Sequence, residues 1–328
     1  MTVFVTGSTG HIGANLVRAL LAEGRQVRAL IHNRREALEG LDIERVTGST
    51  TDFEGVKKAM AGCDTVYHLA AIISISGRDE PVLTEVNIKG TGNVARAALE
   101  NGVKRMVHFS STHALSEFPD DAPIDENRPL AEGTDFLPYD RSKGGGEREI
   151  AKVVAQGLDA VTVNPCGVLG PFDFEPSRMG RVLLDLHNKR LPALIDGGYT
   201  WVDARDVVAG AMAAEAKGRS GERYILCNRW ASVKEIGELA ERATGVKSPR
   251  MQTPMWLAKC AAPFSQGWAR ITGTEAKFTL ASLHALGSNP AISNQKAKDE
   301  LGFSPRPLEE TIAESYAWFK ESGRIPKA

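Results

Sequence analysis

The sequence predicts an α/β protein: a doubly wound parallel sheet joined to a smaller, mostly helical C-terminal lobe. Three observations predict it. The first 165 residues alternate short β-branched apolar runs with longer stretches of helical periodicity, as βαβ units do. A glycine-rich turn separates the first such run from the first such helix. After Pro165 the alternation breaks into a segment crowded with Gly, Pro and aromatic residues, Asn164 to Pro176.

The elements follow in order. Strands are expected at Thr2–Val5, Gln26–Ile31, Ile43–Thr47, Thr65–Leu69, Arg105–Phe109 and Ala160–Val163, each a short β-branched apolar run. Between the first two, Leu16, Val17, Leu20 and Leu21 share one face of a helix from Gly13 to Glu23, which Gly24 stops. Further helices are expected at Phe53–Ala61, Pro81–Asn101 and Tyr139–Gln156. In the second half, helical patterns run over Asp203–Lys217, Val233–Thr244, Pro254–Ile271 and Leu308–Glu321, with one short strand at Arg223–Cys227 and turn signals near Gly287–Pro290. The expected division is residues 1–165 plus about 202–227 for the sheet domain, and about 166–201 and 228–328 for the smaller lobe.

Composition excludes several classes of function. Forty Lys plus Arg stand against 41 Asp plus Glu, a net charge of −1, without the basic footprint that a nucleic-acid binder needs. The longest mostly apolar stretch, Val66–Ile75, is too short to span a bilayer, and the N-terminus lacks a basic region or cleavage site. A cytoplasmic protein with a small-molecule partner is expected, and neither nucleic acid nor membrane. Cys63, Cys166, Cys227 and Cys260 lie far apart with no C-x-x-C spacing and the seven His include no H-x-x-x-H pair, so buried free thiols and no metal are expected.

The turn reads Thr6-Gly7-Ser8-Thr9-Gly10-His11-Ile12-Gly13, a G-x-x-G-x-x-G that opens a helix directly after a strand. The first glycine permits the tight turn, the second lets a pyrophosphate approach the backbone, and the third allows close packing of helix on sheet. The helix N-terminus then offers unpaired N–H groups and a positive dipole end to phosphates. In this context the motif predicts dinucleotide binding on a Rossmann sheet.

With His68-Leu-Ala-Ala71, Asn87-Ile-Lys-Gly-Thr-Gly-Asn93, Phe109-Ser-Ser-Thr112 and Tyr139-Asp-Arg-Ser-Lys143, the chain resembles the extended short-chain dehydrogenase/reductases, the NAD(P)-dependent epimerase/dehydratase superfamily. Asn164–Pro171, Trp201–Asp206 and Leu301–Pro305 carry the likeness almost to the C-terminus, closest to the branch of dihydroflavonol reductases, 3β-hydroxysteroid dehydrogenases and hopanoid-associated epimerase-like proteins. The resemblance implies a cofactor held by Thr6, Gly7, Thr9, Gly10, Ile12, Gly13, Leu69, Ala70, Ala71, Pro165, Gly167 and Val168, with His11 packed over it.

The acid that would bind the adenosine ribose 2′-OH is expected about twenty residues beyond the glycines. The chain there reads Ile31-His32-Asn33-Arg34-Arg35, and Ile31 stands where NAD-using relatives are expected to carry Asp. Arg34 and Arg35 beside His32, with Arg28 earlier, would pair with a 2′-phosphate. NADP(H) is therefore the expected cofactor, with NAD(H) the alternative. The family's Gly-Asp after the third strand is Gly48-Ser49, which leaves Asp52 as the nearest acid.

Tyr139 and Lys143 are i and i+4 on the predicted helix, so both project from one face. A nearby ammonium favours phenolate and is expected to lower the Tyr139 pKa, letting it donate a proton to a ketone or remove one from an alcohol. The resemblance gives Lys143 the nicotinamide ribose, Thr112 the substrate oxygen (Ser111 being one residue away), and Asn87 a water linked to the lysine or a bracing role. Tyr316-Ala-Trp-Phe-Lys320 repeats the Y-x-x-x-K spacing, but no hydroxyl-bearing strand end precedes it, and Tyr316, Trp318 and Phe319 read as packing residues. Asp203 and Asp206 read as acids at a helix N-terminus.

Ile72, Ile73, Ile75, Phe118, Phe172, Phe174, Met179 and Trp201 stand at predicted strand ends and loops where they would line an apolar pocket, with Ser74 and His113 as polar neighbours. Arg178, Arg181, Lys189, Arg190 and Arg205 would serve a sugar-nucleotide diphosphate only if they converged, and helical spacing scatters them. The expected activity is an NADP(H)-dependent reduction of a ketone or aldehyde, or oxidation of the corresponding secondary alcohol. The alternatives are a sugar-nucleotide epimerase or dehydratase, and a cofactor-sensing regulator. A homodimer is the arrangement that the resemblance implies.

Overall fold

The computed structural model describes residues 1–328 except 33–35, 75–76, 78–79, 273–278, 288 and 327–328. The N-terminal part runs β1 (Thr2–Thr6), α1 (His11–Ala22), β2 (Gln26–Ile31), β3 (Glu44–Thr47), α2 (Phe53–Met60), β4 (Thr65–His68), α3 (Pro81–Leu83), α4 (Thr91–Glu100), β5 (Arg105–Phe109), α5 (Pro138–Val154) and β6 (Ala160–Pro165). The later part continues through β7 (Gly167–Leu169), α6 (Arg178–His187), β8 (Leu194–Ile195), β9 (Gly198–Asp203), α7 (Ala204–Lys217), β10 (Arg223–Leu226), β11 (Arg229–Ser232) and α8 (Val233–Thr244). It closes with β12 (Gln252–Thr253), α9 (Met255–Thr272), α10 (Leu280–Leu286), α11 (Gln295–Leu301) and α12 (Leu308–Glu321).

Seven parallel strands form the main sheet in the order β10-β6-β5-β4-β1-β2-β3. Strands covered on both faces must be apolar throughout, and every residue of β4 and β6 is buried. On one face α1 and α7 pack through Leu16, Val17, Leu20, Val207 and Ala211; on the other α2, α4 and α5 pack through Val56, Met60, Val94, Ala98 and Ile150. The strand order reverses between β1 and β4, and a doubly wound sheet opens a ligand crevice at the carboxyl ends of such a pair.

The helix expected over Pro81–Asn101 is three segments in succession: the α-turn α3, a π-helical stretch over Thr84–Gly90, and α4. α5 packs closely on that stretch. A Cβ on Gly146 would lie 2.6 Å from the Asn87 carbonyl oxygen, which is why a helix tolerates three consecutive glycines, costly to helix stability, at Gly144–Gly146.

The smaller lobe holds more sheet than its sequence suggested. β11, β9 and β7 form a mixed three-stranded sheet, antiparallel between β11 and β9 and parallel between β9 and β7, while β8 and β12 form a parallel pair. These strands are two to six residues long, too short to show an alternation. Tyr316, Trp318 and Phe319 are buried in this lobe's core, as packing residues. Asp203 caps α7, accepting from the Arg205 N–H, and Asp206 lies in its first turn. Of the four thiols three are buried; Cys260 is exposed, against expectation.

Candidate active site

The turn Thr6–Gly13 sits at the carboxyl ends of β1 and β4. Leu69 N–H donates to the Thr6 carbonyl at 3.2 Å and Ala70 N–H to the Thr6 hydroxyl at 3.2 Å, so Leu69–Ala71 lie against the turn. Two of its glycines are required by the protein itself. Gly7 has φ +68° and its Cβ would stand 2.6 Å from Ala70 N; a Cβ on Gly13 would stand 2.2 Å from the Gly7 carbonyl oxygen. Gly10 differs: the nearest atom to its Cβ would be 3.5 Å away, so packing does not demand a glycine there. Gly10 is also the N-cap of α1, with no side chain capping the helix and no acid in its first turn. A bare helix N-terminus beside an open Cα suits a dinucleotide's pyrophosphate.

Several expected contacts are otherwise engaged. His11 does not stand free over a cofactor: its Nε2 lies 3.2 Å from the Gly170 carbonyl and 3.1 Å from that of Pro171, and Asn15 Nδ2 donates to Pro171 at 3.0 Å. This ties the glycine turn to the loop that follows β7, the strand holding Gly167 and Val168. Arg28 is taken by Glu44 at 2.6 Å and by the carbonyls of Ala59 and Ala61, because its strand runs beside β3. Asp52 caps α2, accepting from Gly55 N–H at 3.1 Å. His32 is exposed just past β2, and Ile31 is buried at its end. Arg34 and Arg35 lie outside the described residues.

The end of β5 leads through Ser110 and Ser111 into a 3₁₀ turn, Thr112–Ala114, beneath the first turns of α5. α5 begins with Pro138 at its first position, which fixes φ for helix entry and sets Tyr139 and Lys143 toward that strand end. Ser111 stands close enough to the Tyr139 hydroxyl to pull its pKa down. Thr112, 5% exposed, instead lines the adjacent pocket. Lys143 Nζ donates to the Phe109 carbonyl at 3.0 Å, and burial brings its pKa down to about 8, opposed by Glu147. The lowering of the tyrosine expected from Lys143 is not realised in the protein alone. Burial, with Asp140 beside it, pushes the phenol above its ordinary range, and Ser111 pulls only weakly the other way.

Asn87 braces two segments. Its Oδ1 accepts from Ile72 N–H at 2.8 Å and its Nδ2 donates to the Ile72 carbonyl and the Ser142 hydroxyl, each at 2.9 Å, tying the loop after β4 to α5. On that loop Ile73 is exposed and Ser74 donates to Glu80 at 2.9 Å; Ile75 lies outside the described residues.

The pocket beside Thr112 holds a network around His113, a polar neighbour expected there, whose partners the sequence did not indicate. His113 Nδ1 lies 3.1 Å from Asp140 Oδ1, and its Nε2 is 2.5 Å from the Tyr199 hydroxyl. The His113 ring also meets Tyr139 edge-on, with centroids 5.8 Å apart. Farther round, Glu117 pairs with His284 at 2.8 Å. Leu115, Ile124, Phe136, Trp230 and Ile292 supply apolar wall, and no Lys or Arg among the described residues lines the pocket. Only Tyr199's place on β9, two residues before Trp201, offered a sequence signal.

Four residues expected in the pocket are elsewhere. Trp201 is 1% exposed and donates to the Ala231 carbonyl at 3.1 Å, inside the small lobe. Phe172 and Phe174 stack at 6.4 Å and pack on Trp318, with the Arg18 guanidinium 4.7 Å over Phe172; Met179 packs against the same core. Aromatic bulk in a Gly/Pro-rich loop served core packing because the loop covers α12. Arg205 is held by Asp203 at 2.7 Å and by Glu314, and Arg190 lies 3.9 Å from Asp185, so neither faces the pocket as a free cation.

Sheet topology, glycine turn and the Tyr139–Lys143 pair define a dinucleotide-dependent enzyme built on a Rossmann sheet. The model of the NAD dependent epimerase/dehydratase family matches residues 3–227, and the chain belongs to that family, as an NAD(P)-dependent oxidoreductase of the extended short-chain dehydrogenase/reductase type. It is similar to sterol demethylase protein B of Methylococcus capsulatus, 37% identical over 99% of this chain and 100% of that one. It is also similar to a Stigmatella aurantiaca ketoreductase acting on a 4-hydroxy-2-methyl-3-oxo-4-farnesyl-3,4-dihydroquinoline-1-oxide, 29% identical over 93% of this chain and 92% of that one. Among solved structures it superposes on gox2253 with a TM-score of 0.85, at 30% identity over 99% of both chains.

Proposed function

We propose that the protein is an NADP(H)-dependent reductase of a lipophilic ketone or aldehyde, working in reverse on the corresponding alcohol. The observation that carries this reading is the pocket beside Thr112 and Tyr139, apolar over much of its wall and without a Lys or Arg among the described residues. A nucleotide-sugar diphosphate calls for convergent cations. The ketoreductase among the relatives supports the same choice.

Residues 1–165 with about 202–227 would hold the cofactor, and about 166–201 with 228–328 the substrate. The first turn of α1, with Gly7, Gly10 and Gly13, would take the pyrophosphate; Leu69–Ala71, Pro165, Gly167 and Val168 would flank the remainder, and Lys143 would hold the nicotinamide ribose. When bound, the nicotinamide supplies or accepts a hydride at C4. Thr112 donates a hydrogen bond to the substrate oxygen as negative charge grows there. Tyr139, kept protonated by its burial, gives that oxygen its proton in reduction, with Ser111 close by. The preference for NADP(H) rests on Ile31 standing where an acid would bind the ribose hydroxyl, followed by Arg34 and Arg35.

The test is NADPH oxidation against a panel of lipophilic ketones and aldehydes, run beside nucleotide sugars. Net NADPH consumption with a ketone supports the reading; conversion of a nucleotide sugar without net consumption overturns it in favour of an epimerase. Dissociation constants for NADPH and NADH test the cofactor, and a tenfold preference for NADH would reverse that assignment.

A further inference from the structure

A surface helix ordinarily buries its large apolar side chains and exposes its polar ones. The part of α9 whose side chains are described, residues 255–265, does the opposite. Its buried residues are Ala258 and Ala262, at 1% and 0% exposure, which cluster with Leu283 of α10. Its outward face carries Trp256 at 67%, Leu257 at 44% and Phe264 at 81% exposure. Trp256, Cys260 and Phe264 are spaced i, i+4 and i+8, so they form one stripe, and Cys260 is exposed as well. Single exposed apolar residues need no account, but two large aromatics on one stripe do.

Charge identifies the occupant. In sequence, residues 247–280 contain Lys247, Arg250, Lys259, Arg270 and Lys277 against Glu275 alone, in a chain whose net charge is −1; of the described cations Arg250 is paired with Glu241 at 2.9 Å, which leaves Lys247 and Lys259. α9 itself has no Asp or Glu. Outward Trp, Leu and Phe within a basic, acid-poor segment suit a helix lying in the headgroup region of an anionic bilayer. A second copy of the chain fits less well, because a two-fold contact would bring the same basic segment against itself.

We propose that α9 docks the protein on an anionic membrane surface, with Trp256, Leu257 and Phe264 entering the interface and Lys259 meeting lipid phosphates. The contact is peripheral: no described helix is long and apolar enough to cross a membrane. It revises the expectation of no membrane partner, which considered only spanning segments. α10, packed on the buried face of α9, contributes His284 and Ala285 to the pocket beside Thr112. Docking therefore brings that pocket close to the lipid. The docking does not depend on the proposed reaction; only its use for a lipophilic substrate does.

The experiment is co-sedimentation of the full chain with vesicles of phosphatidylcholine alone and of phosphatidylcholine mixed with phosphatidylglycerol, at low and high salt. The native protein is expected to bind the mixed vesicles, more weakly at high salt. Trp256→Ser with Phe264→Ser should lower the partition coefficient about a hundredfold or more, since two large apolar side chains leave the interface. The thermal midpoint should hold, because both side chains are exposed. Lys259→Glu should weaken binding at low salt only. Failure of the native protein to bind mixed vesicles, or equal binding by the double variant, overturns the proposal. So does a native dimer that the double variant converts to a monomer without vesicle binding, which would assign the face to a second copy.

Discussion

His113 and Asp140 meet at 3.1 Å, Nδ1 to Oδ1, and this contact fixes what Tyr199 presents to the pocket. In the neutral ring, with Asp140 accepting the Nδ1 proton, Nε2 would be an acceptor for the Tyr199 hydroxyl 2.5 Å away. The Tyr199 oxygen then offers lone pairs to whatever enters beside Tyr139. In the proposed reaction that arrangement would favour a substrate with a hydroxyl or N–H near its carbonyl. His113→Gln and Tyr199→Phe are each expected to lower kcat/KM about tenfold, mainly through KM, roughly the worth of one hydrogen bond. The double variant should be no worse than the weaker single one, because the two act in series. Additive losses in the double-mutant cycle would show that they act separately.

Thr112 and Ser111 divide their work in the proposed reaction, and kinetics can separate them. Thr112→Val removes the donor to the substrate oxygen and is expected to lower kcat about a hundredfold. Ser111→Ala removes a hydroxyl near the Tyr139 phenol and should cost less, about tenfold. Reversal of that order would give the substrate oxygen to Ser111. Tyr139→Phe should abolish turnover while leaving the NADPH dissociation constant within about twofold.

The three glycines of the turn should fail in different ways. Gly10→Ala has room for its methyl, so the thermal midpoint should hold while cofactor affinity falls about tenfold or more. Gly13→Ala would place a methyl 2.2 Å from the Gly7 carbonyl oxygen and should lower the midpoint as well. A Gly10→Ala variant that binds NADPH normally would remove the pyrophosphate from this turn.

Lys143 carries a stability cost whose pH dependence has a definite sign. Its pKa falls from 10.5 to about 8 on folding, so the ammonium is disfavoured in the native state. The penalty, on the order of 3 kcal/mol, is fully present below about pH 8 and is relieved as pH rises toward 10.5, because the unfolded chain there holds the extra proton. Lys143→Met should therefore be inactive yet more stable than the native enzyme at pH 7, less the loss of the bond to Phe109, and this advantage should shrink by pH 9.5 in chemical denaturation. An advantage that grows with pH would contradict the assignment.

The sheet was legible because its signals are local. β-branched runs, glycine stops and the strand–turn–helix context of Gly7–Gly13 fall within a few residues of one another, and β1 to β6 lie within a residue or two of the ends expected from them. The pocket was not legible, because it assembles from distant segments. His113 follows β5, Asp140 opens α5, Tyr199 sits on β9 and His284 on α10, and no spacing announces their meeting. Phe172, Phe174 and Trp201 misled for the same reason, since an aromatic residue in a loop has one composition whether it faces a ligand or a core. Arg28 shows the limit for charge: its fate depended on Glu44 in the neighbouring strand.

The π-helical stretch over Thr84–Gly90 makes this region sensitive to chain length as well as to chemistry. A π-turn accommodates one residue more than an α-turn over the same rise. Removing a single residue there would restore ordinary winding and turn the Asn87 side chain about 100° around the axis, away from Ile72 and Ser142. A one-residue deletion in this segment should thus uncouple the loop after β4 from α5, whereas the same deletion at an exposed loop tip would pass with little effect. The extra residue acts as a shim, and the helix count is part of the site.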